Sequence, residues 1–279
     1  MRHVSFTHKT VLAGGPEAAL PLLPGHQPGV GGSKVGMRCC LGMLPYVVLS
    51  SAVAPDPPLP SVMIGDTLVV GSEVRPTVAR FAGIPYAAAP SGARRFAPPL
   101  PFILNGTHAL NATQLGPMCP NPDPVNATNM FGQEDCLTLN VYRPTMKNGS
   151  ITRLPVYVFI HGGGLTSGGA PVYDLSELSA AGVVCVTIQY RLNAFGFLAS
   201  PHFPPEFGGN LGLQDQILAL RWVQQHIAAF GGDPLRVTIG GQSAGGTSVL
   251  LLLAAPAARG LIHAAIAESP WWDGRLLGG

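Results

Sequence analysis

The sequence predicts an α/β protein with a mostly parallel central sheet. Residues 156–160 and 183–190 are continuous apolar runs, which are typical of strands buried on both faces. Residues 213–228 carry apolar side chains at helical spacing, and residues 237–239 form another short β-branched run. Because strand-like and helix-like segments alternate, we expect a sheet flanked by helices.

Shorter elements are predicted at both ends of this pattern. Residues 62–64 and 68–70 flank a Gly65-Asp66 turn, which indicates a hairpin. Residues 244–253 are expected to form a helix directly after the run at 237–239. Residues 262–266 favour one more strand, with which we expect this part of the sheet to end.

Composition and charge exclude several classes of protein. The 279 residues are 47% hydrophobic, which is enough for a sizeable core. Charged residues make up 11% of the chain, against about a quarter in average soluble proteins, and the formal net charge is +2. Because this small charge is spread without basic clusters, we expect no nucleic-acid partner. No spacing of Cys and His matches a metal site, and we expect neither a metal nor a cofactor.

The N-terminal segment is typical of a region removed before folding. Residues 1–36 are rich in Gly, Pro and His, and we interpret them as a disordered extension created by an upstream start in the gene model. In residues 37–54 a basic residue precedes an apolar stretch that closes with Ala-Val-Ala, which is the layout of a signal peptide cleaved after Ala54. The stretch is too short to span a bilayer and Pro45 interrupts it, so no transmembrane span is predicted. The alternative is a disordered tail followed by a buried strand. Residues 55–279 are then the folded domain.

Sequons and cysteines in the remaining chain also favour export. Asn-x-Ser/Thr sequons lie in loop-like sequence at Asn105, Asn111, Asn126 and Asn148. A disulfide between Cys119 and Cys136 would close a loop of modest length and would suit an oxidising compartment. Cys185 lies within an apolar run and is expected to be a buried free thiol. We therefore predict a protein that is secreted or lies in the lumen of the secretory pathway.

The segment Gly241-Gln242-Ser243-Ala244-Gly245 carries the most specific signal in the chain. It directly follows the strand-like run at 237–239. Gly-x-Ser-x-Gly after a strand is the pattern of a nucleophile elbow, a sharp turn that projects a serine hydroxyl above the sheet. The two glycines are needed because neighbouring backbone must approach the turn closely.

A glycine loop upstream supplies the second half of this signal. His161-Gly162-Gly163-Gly164 follows the apolar run at 156–160. Such a loop offers bare backbone N–H groups to a developing oxyanion. Either motif alone is a weak signal, but their occurrence together, each after a predicted strand, indicates one catalytic site.

Several further blocks resemble the type-B carboxylesterase/lipase family, the cholinesterase-like branch of the α/β-hydrolase fold. These blocks are residues 81–87 with 95–96, 134–142, 190–198, 209–216 and 222–223. The resemblance runs from about residue 62 to residue 269 and matches the N-terminal portion of the family's domain.

The resemblance implies a serine esterase site. It makes Ser243 the nucleophile, and it makes the backbone N–H groups of Gly163, Gly164 and Ala244 the oxyanion hole. The implied reaction is hydrolysis of a carboxylic ester through an acyl-enzyme, with a small-molecule or lipid ester as substrate. Which ester is used, and the oligomeric state, stay open.

The same resemblance implies a disulfide and shows two local departures. Cys119 and Cys136 match the family's first disulfide. Gln242 stands before the nucleophile where the family usually has an acidic residue, and Leu165 follows the glycines where relatives often have an aromatic residue. We expect the first change to tune the site and the second to alter the acyl pocket.

The acid and the base of a catalytic triad do not appear in the expected places. In this fold the triad runs Ser, then acid, then His. After Ser243 the only histidine is His263, and the acids Glu268 and Asp273 both follow it. The earlier candidates, to which we assign structural or surface positions, are His161, His202 and His226. We therefore expect an incomplete fragment with little esterase activity by itself and with poor solubility, because half a sheet leaves an open edge.

Two rival interpretations stay open. The first is a non-catalytic, cholinesterase-like binding or adhesion protein, a branch that keeps the fold and typically loses the nucleophile. The second is a natural short isoform that acts only as an interaction module. The retention of Ser243 beside an intact glycine loop favours the enzyme.

Overall fold

A computed structural model describes residues 58–271 of the chain, except residues 107, 124, 127, 146–152, 201 and 203–208. The predicted extension and signal peptide, the sequon at Asn148 and the acid Asp273 lie outside the described residues. The twelve strands of the described part are β1 Ser61–Ile64, β2 Thr67–Val70, β3 Ser72–Arg75, β4 Val78–Pro85, β5 Leu110–Asn111, β6 Asn121–Pro122, β7 Met130–Phe131, β8 Thr138–Pro144, β9 Leu154–Ile160, β10 Val184–Ile188, β11 Gly232–Gln242 and β12 Ala264–Glu268. The α-helices are α1 Ser176–Ala180, α2 Asn193–Phe197, α3 Leu211–His226 and α4 Ala244–Ala254.

Seven of these strands form one mixed sheet in the order β12-β11-β9-β10-β8-β4-β3. The four strands from β12 to β10 run parallel, and the pairings from β10 through β8 and β4 to β3 are antiparallel. The α/β class is confirmed, whereas the sheet is half parallel rather than mostly parallel. Part of the reason is that β3 and β4 are joined by only two residues, and so short a connection permits only antiparallel pairing.

The predicted elements are found, with shifted ends. The hairpin at Gly65-Asp66 joins β1 to β2, although it belongs to a separate small sheet with β5. Helix α3 begins at Leu211, two residues before its predicted start, and β12 begins at Ala264, two residues after its own predicted start. The apolar run at 156–160 lies within β9, and the run at 183–190 contains β10. All five residues of β10 are buried, as a strand covered on both faces requires.

The register of the parallel strands determines which loops lie side by side at the end of the sheet. Ile160, the last residue of β9, pairs with Gly241, which lies near the end of β11. The segments that leave the two strands, at 161–164 and at 242–245, therefore emerge side by side. Ligand sites in open α/β sheets lie at this carboxyl edge of the strands.

The cysteines adopt the predicted states. Cys119 and Cys136, both buried, are joined by a disulfide across a sequence separation of 17. Cys185 is a buried free thiol on β10, and burial raises its pKa to about 12.

The disulfide gives a first prediction. Replacing both cysteines (Cys119→Ser with Cys136→Ser) should lower the free energy of unfolding by about 3 kcal/mol, since a loop of this length loses that much constraint in the unfolded chain. Urea denaturation measures the loss. A reductant should weaken the parent chain by a similar amount and leave the double variant unchanged, and equal stability of parent and variant would contradict the prediction.

Candidate active site

Ser243 occupies a strained turn between β11 and α4. Its backbone has φ 56° and ψ −123°, a conformation that non-glycine residues seldom adopt. The turn is held at both ends, because the Ser243 N–H donates to the carbonyl oxygen of Glu268 at 2.9 Å and its carbonyl accepts from the N–H of Thr247 at 2.9 Å. The residue is half-buried. The backbone thus fixes the serine at the end of the strand.

The glycines on either side of Ser243 are required by close backbone packing. A Cβ atom on Gly245 would overlap the carbonyl oxygen of Ile160, and one on Gly241 would lie 2.5 Å from the carbonyl carbon of Gly245. Real Cβ atoms do not approach backbone so closely. The elbow predicted from the sequence is therefore present as a folded turn, while the catalytic role of Ser243 stays a prediction.

The glycine loop runs directly beside this turn. A Cβ on Gly162 would lie 2.7 Å from the carbonyl oxygen of Gln242 and 3.2 Å from the Cβ of Ser243. Gly163 and Gly164 follow with φ values of 113° and 64° and are exposed. The loop therefore approaches the serine as closely as a glycine allows, and any larger residue at position 162 would force the two segments apart.

Two anchored carbonyls orient the amides of the loop. The carbonyl of Gly162 lies 2.8 Å from Nδ1 of His161, and the carbonyl of Gly163 accepts from the N–H groups of Thr166 at 3.1 Å and Ser167 at 2.9 Å. In a trans peptide the N–H points away from the C=O, so the N–H groups of residues 163 and 164 point away from these anchors. Within the described residues neither N–H donates a hydrogen bond to the protein.

The third predicted amide belongs to Ala244, the first residue of α4. The first four N–H groups of a helix have no partner inside the helix, and the helix dipole favours negative charge at this end. The N–H of Ala244 lies one residue beyond Ser243, as an oxyanion hole requires. Gly163 and Gly164 thus directly follow the residue that packs against the turn at Ser243, Ala244 directly follows Ser243, and the role of these three amides remains a prediction.

His161 supports the glycine loop from behind. It is buried, which lowers its pKa to about 4 and keeps the ring neutral. Because its partner at 2.8 Å is the Gly162 carbonyl, Nδ1 must carry the proton and donate. Its ring stacks on Tyr190 with centroids 4.3 Å apart, and the Tyr190 hydroxyl donates to the His161 carbonyl at 2.8 Å. His161 is thus a structural residue, as the sequence suggested.

The buried imidazole makes stability depend on pH. Well above pH 6.5 the ring is neutral in both states, and as pH falls the unfolded chain takes up the proton before the folded chain does. The free energy of unfolding should therefore fall by up to about 1.4 kcal/mol per pH unit between pH 6 and about pH 4. In the variant His161→Asn, whose amide can still donate but does not titrate, this fall should be smaller by that amount. Urea denaturation at pH 7, 6 and 5 measures the difference, and parallel curves for the two proteins would refute it.

The other histidines named above lie away from Ser243. His263 accepts from the N–H of Val237 at 3.3 Å. Val237 lies six residues before Ser243 on an extended strand, so at about 3.3 Å per residue Val237, with His263 beside it, is about 20 Å from Ser243. His226 ends α3 and packs against Trp222. His202 lies in an exposed turn. No histidine of the described residues donates to or accepts from the Ser243 side chain.

The remaining predicted positions are found on the surface or beside the loop. Asn105, Asn111 and Asn126 are exposed, and in the last two the side-chain oxygen accepts a hydrogen bond from the hydroxyl of the sequon threonine. Gln242 is exposed, and Leu165 is half-buried with φ 62°. Glycosylation of these asparagines and the effects expected of Gln242 and Leu165 stay predictions.

Neither a metal site nor a membrane span is found in the part of the chain that the structure describes. No group of three or more His, Cys, Asp or Glu side chains there is arranged to hold a metal ion. Among the helices of the same part, none combines the length and the apolar character that a bilayer crossing requires.

Sequence reasoning missed the residues that hold the loop in place. Tyr190 donates to His161 of the loop and Asn121 bonds to Gly168 just beyond it, across sequence separations of 29 and 47 residues, and no local pattern reports such contacts. The one sequence feature that could have pointed to these supports is Gly168, a glycine shortly after the motif. Its φ of 100° and its close approach to Gly162 require glycine at this position.

Comparison with known proteins decides the family. A model of the Carboxylesterase family matches residues 60–273. The chain belongs to the carboxylesterase family. It is 48% identical over 208 residues to liver carboxylesterase 1 of Oryctolagus cuniculus, covering 69% of this chain and 36% of that protein. It is 47% identical over 199 residues to para-nitrobenzyl esterase of Bacillus subtilis, covering 69% of this chain and 40% of that protein.

A solved structure supports the same family assignment. A PNB esterase superposes with a TM-score of 0.68 at 43% identity, over 75% of this carboxylesterase chain and 44% of that chain. The α/β-hydrolase fold is therefore confirmed. The chain spans about two fifths of the length of these relatives.

Proposed function

We propose that this chain carries the nucleophile and the oxyanion hole of a carboxylic ester hydrolase. The observation that supports the proposal is the close approach of Gly162 to Ser243. A Cβ atom added to Gly162 would lie 3.2 Å from the Cβ of Ser243. Around this contact the N–H groups of Gly163 and Gly164 are unpaired within the described residues. Unpaired amides beside a strained, half-buried serine are suited to stabilise an oxyanion and have no evident structural use.

The proposed reaction passes through an acyl-enzyme. The Oγ of Ser243 attacks the acyl carbon, and its proton leaves to a general base. The carbonyl oxygen becomes an oxyanion, which accepts hydrogen bonds from the amides of Gly163, Gly164 and Ala244. The bond to the alcohol breaks, the alcohol takes a proton, and water then hydrolyses the acyl-enzyme to the acid and free Ser243.

The base is not supplied by the residues described above. Because no described histidine reaches Ser243, we expect the 279-residue chain to be acylated slowly by reactive esters and to turn over poorly. The proposed substrates are small-molecule or lipid esters, and the name of the Bacillus subtilis relative suggests a para-nitrobenzyl ester as a first trial.

We also propose that the protein enters the secretory pathway. The exposed sequons at Asn105, Asn111 and Asn126 and the disulfide between Cys119 and Cys136 support this location. The signal peptide proposed at residues 37–54 is compatible with it. To test the proposal, the protein is expressed in a secreting eukaryotic cell and its mass is measured before and after glycosidase treatment. We expect the treatment to lower the mass of the protein.

A covalent labelling experiment tests the catalytic proposal. The folded chain is incubated with an alkyl fluorophosphonate, a reagent that phosphonylates activated serines, and the modified peptide is identified by mass spectrometry. We expect one label, on Ser243, which forms slowly because the described residues supply no general base. A label distributed over several serines, or none on a chain shown to be folded, would contradict the proposal.

The rival interpretation as a binding or adhesion protein gains no specific support. Such a protein has no need for a serine at the elbow or for unpaired amides beside it. Both features are retained here.

A further inference from the structure

The side chain of Asn121 joins the disulfide loop, which Cys119 and Cys136 close, to Gly168, four residues after the glycine loop. Asn121 is 1% exposed. Its Nδ2 donates to the carbonyl of Cys119 at 2.6 Å and to the carbonyl of Gly168 at 3.1 Å, and its Oδ1 accepts from the N–H of Gly168 at 2.7 Å. One amide group therefore satisfies both backbone groups of Gly168 and is itself fixed beside the disulfide.

Gly168 in turn packs against the peptide that orients the oxyanion amides. A Cβ on Gly168 would overlap the carbonyl oxygen of Gly162 and would lie 2.8 Å from Nδ1 of His161. These two atoms form the hydrogen bond that fixes the orientation of the Gly162 peptide, and with it the N–H of Gly163. A displacement of Gly168 would therefore move the Gly162 peptide and the amide that follows it.

A second side chain supports the next residues in the same way. Gln189 accepts from the N–H of Ala170 at 3.1 Å and donates to the carbonyl of Pro117 at 2.8 Å. Asn193 donates to the carbonyl of Pro120 at 2.8 Å, which fixes the disulfide loop to the start of α2. The loop around Cys119 is thus attached to the body of the protein on one side and to residues 168–170 on the other.

We propose that Asn121 is a positioning residue for the oxyanion hole, which it supports through Gly168. The inference rests on the proposed ester hydrolase function. Asn121 touches neither the acyl group nor Ser243, and it acts by holding the Gly162 peptide in the orientation that presents the Gly163 N–H. Acyl transfer is sensitive to displacements of about 1 Å in such groups, which can cost up to about 100-fold in rate.

The substitution Asn121→Ala should slow acylation without weakening binding. It removes three hydrogen bonds and leaves the N–H and C=O of Gly168 without a partner in a tight space. Under single-turnover conditions with p-nitrophenyl acetate, we expect the limiting acylation rate to fall about tenfold or more. The concentration at half-saturation should change less than twofold, because the oxyanion amides act on the transition state.

Asn129→Ala is the matched control. Asn129 lies in the same disulfide-closed segment, is exposed, and contributes hydrogen bonds through its backbone. Its replacement should leave both kinetic parameters unchanged. The milder variant Asn121→Ser, whose hydroxyl can keep one contact, should give an acylation rate between those of the parent chain and Asn121→Ala. It replaces Asn121→Ala in the test if that variant fails to fold.

Hydrogen exchange separates this inference from the proposed function. In Asn121→Ala and Asn121→Ser we expect faster amide exchange across residues 161–170, with rates elsewhere as in the parent chain and in Asn129→Ala. A parent chain that cannot be acylated overturns the ester hydrolase proposal, and the exchange data then decide the role of Asn121. Folded Asn121 variants with parent-like acylation or parent-like exchange in residues 161–170 overturn the positioning role.

Discussion

Replacing Ser243 with alanine should abolish acylation of the chain by activated esters. In enzymes with a complete triad, loss of the nucleophile costs on the order of 10⁶ in kcat. Here the expected readout is the burst of p-nitrophenol released from p-nitrophenyl acetate, whose amplitude should fall from at most one equivalent per chain to background. The physical reason is that Ser243 lies at the elbow against Gly162, whereas the neighbouring hydroxyls of Thr166 and Ser167 donate to the carbonyl of Gly163.

The fold should survive this substitution. Ser243 contributes to the turn through its backbone N–H and C=O, which alanine retains, and its φ of 56° is no easier for alanine than for serine. Circular dichroism and urea denaturation should therefore show a change of less than about 1 kcal/mol. Ser91→Ala, at an exposed serine outside the site, is the control and should keep the full burst. An undiminished burst from Ser243→Ala would place the reactive group elsewhere and refute the assignment.

The elbow and the glycine loop were predictable because both are local. Each motif encodes a backbone path that only glycine permits, and each follows a strand whose apolar run is visible in the sequence. The register that pairs Gly241 with Ile160 then brings the two loops together. The sequence predicts that the two loops lie side by side only because it predicts that β9 and β11 are parallel strands of one sheet.

The supports of the loop were not predictable, because they depend on contacts between distant segments. Asn121 lies in a Pro- and Asn-rich stretch whose composition indicates only a loop, and its partner Gly168 is 47 residues away. The antiparallel half of the sheet was underestimated for a related reason. Strands β3, β4 and β8 have half-buried positions and bulged registers, which dilute any apolar run.

The buried ion pair between Arg191 and Asp215 should be the most important single polar interaction for stability. The two side chains are 3% and 0% exposed. Asp215 accepts from the Arg191 backbone N–H at 3.0 Å, from Nε at 2.8 Å and from Nη2 at 2.7 Å, and Nη1 donates to the carbonyl of Ala97 at 2.8 Å. The pair thus joins the segment after β10 to helix α3 and to the loop at Ala97.

The substitution Asp215→Ala should lower the free energy of unfolding by about 3 to 5 kcal/mol. It leaves the guanidinium of Arg191 buried without a counter-charge, and the loss of one partner from a buried pair typically costs that much. Arg191 directly follows Tyr190, whose hydroxyl holds the His161 carbonyl, so partial unfolding of this segment should also release the glycine loop. Urea denaturation followed by tryptophan fluorescence measures the loss.

The surface pair between Arg95 and Glu134 provides the comparison that isolates burial as the cause. Its side chains are 47% and 22% exposed, and Arg95→Ala should cost far less stability than Asp215→Ala, since water screens the charges. Replacing both buried partners with apolar residues (Arg191→Met with Asp215→Leu) should recover part of the stability lost in Asp215→Ala, because no lone charge is then left in the core. A loss in Asp215→Ala no larger than that in Arg95→Ala would mean that the core tolerates an unpaired Arg191, and the assigned role of the pair would be wrong.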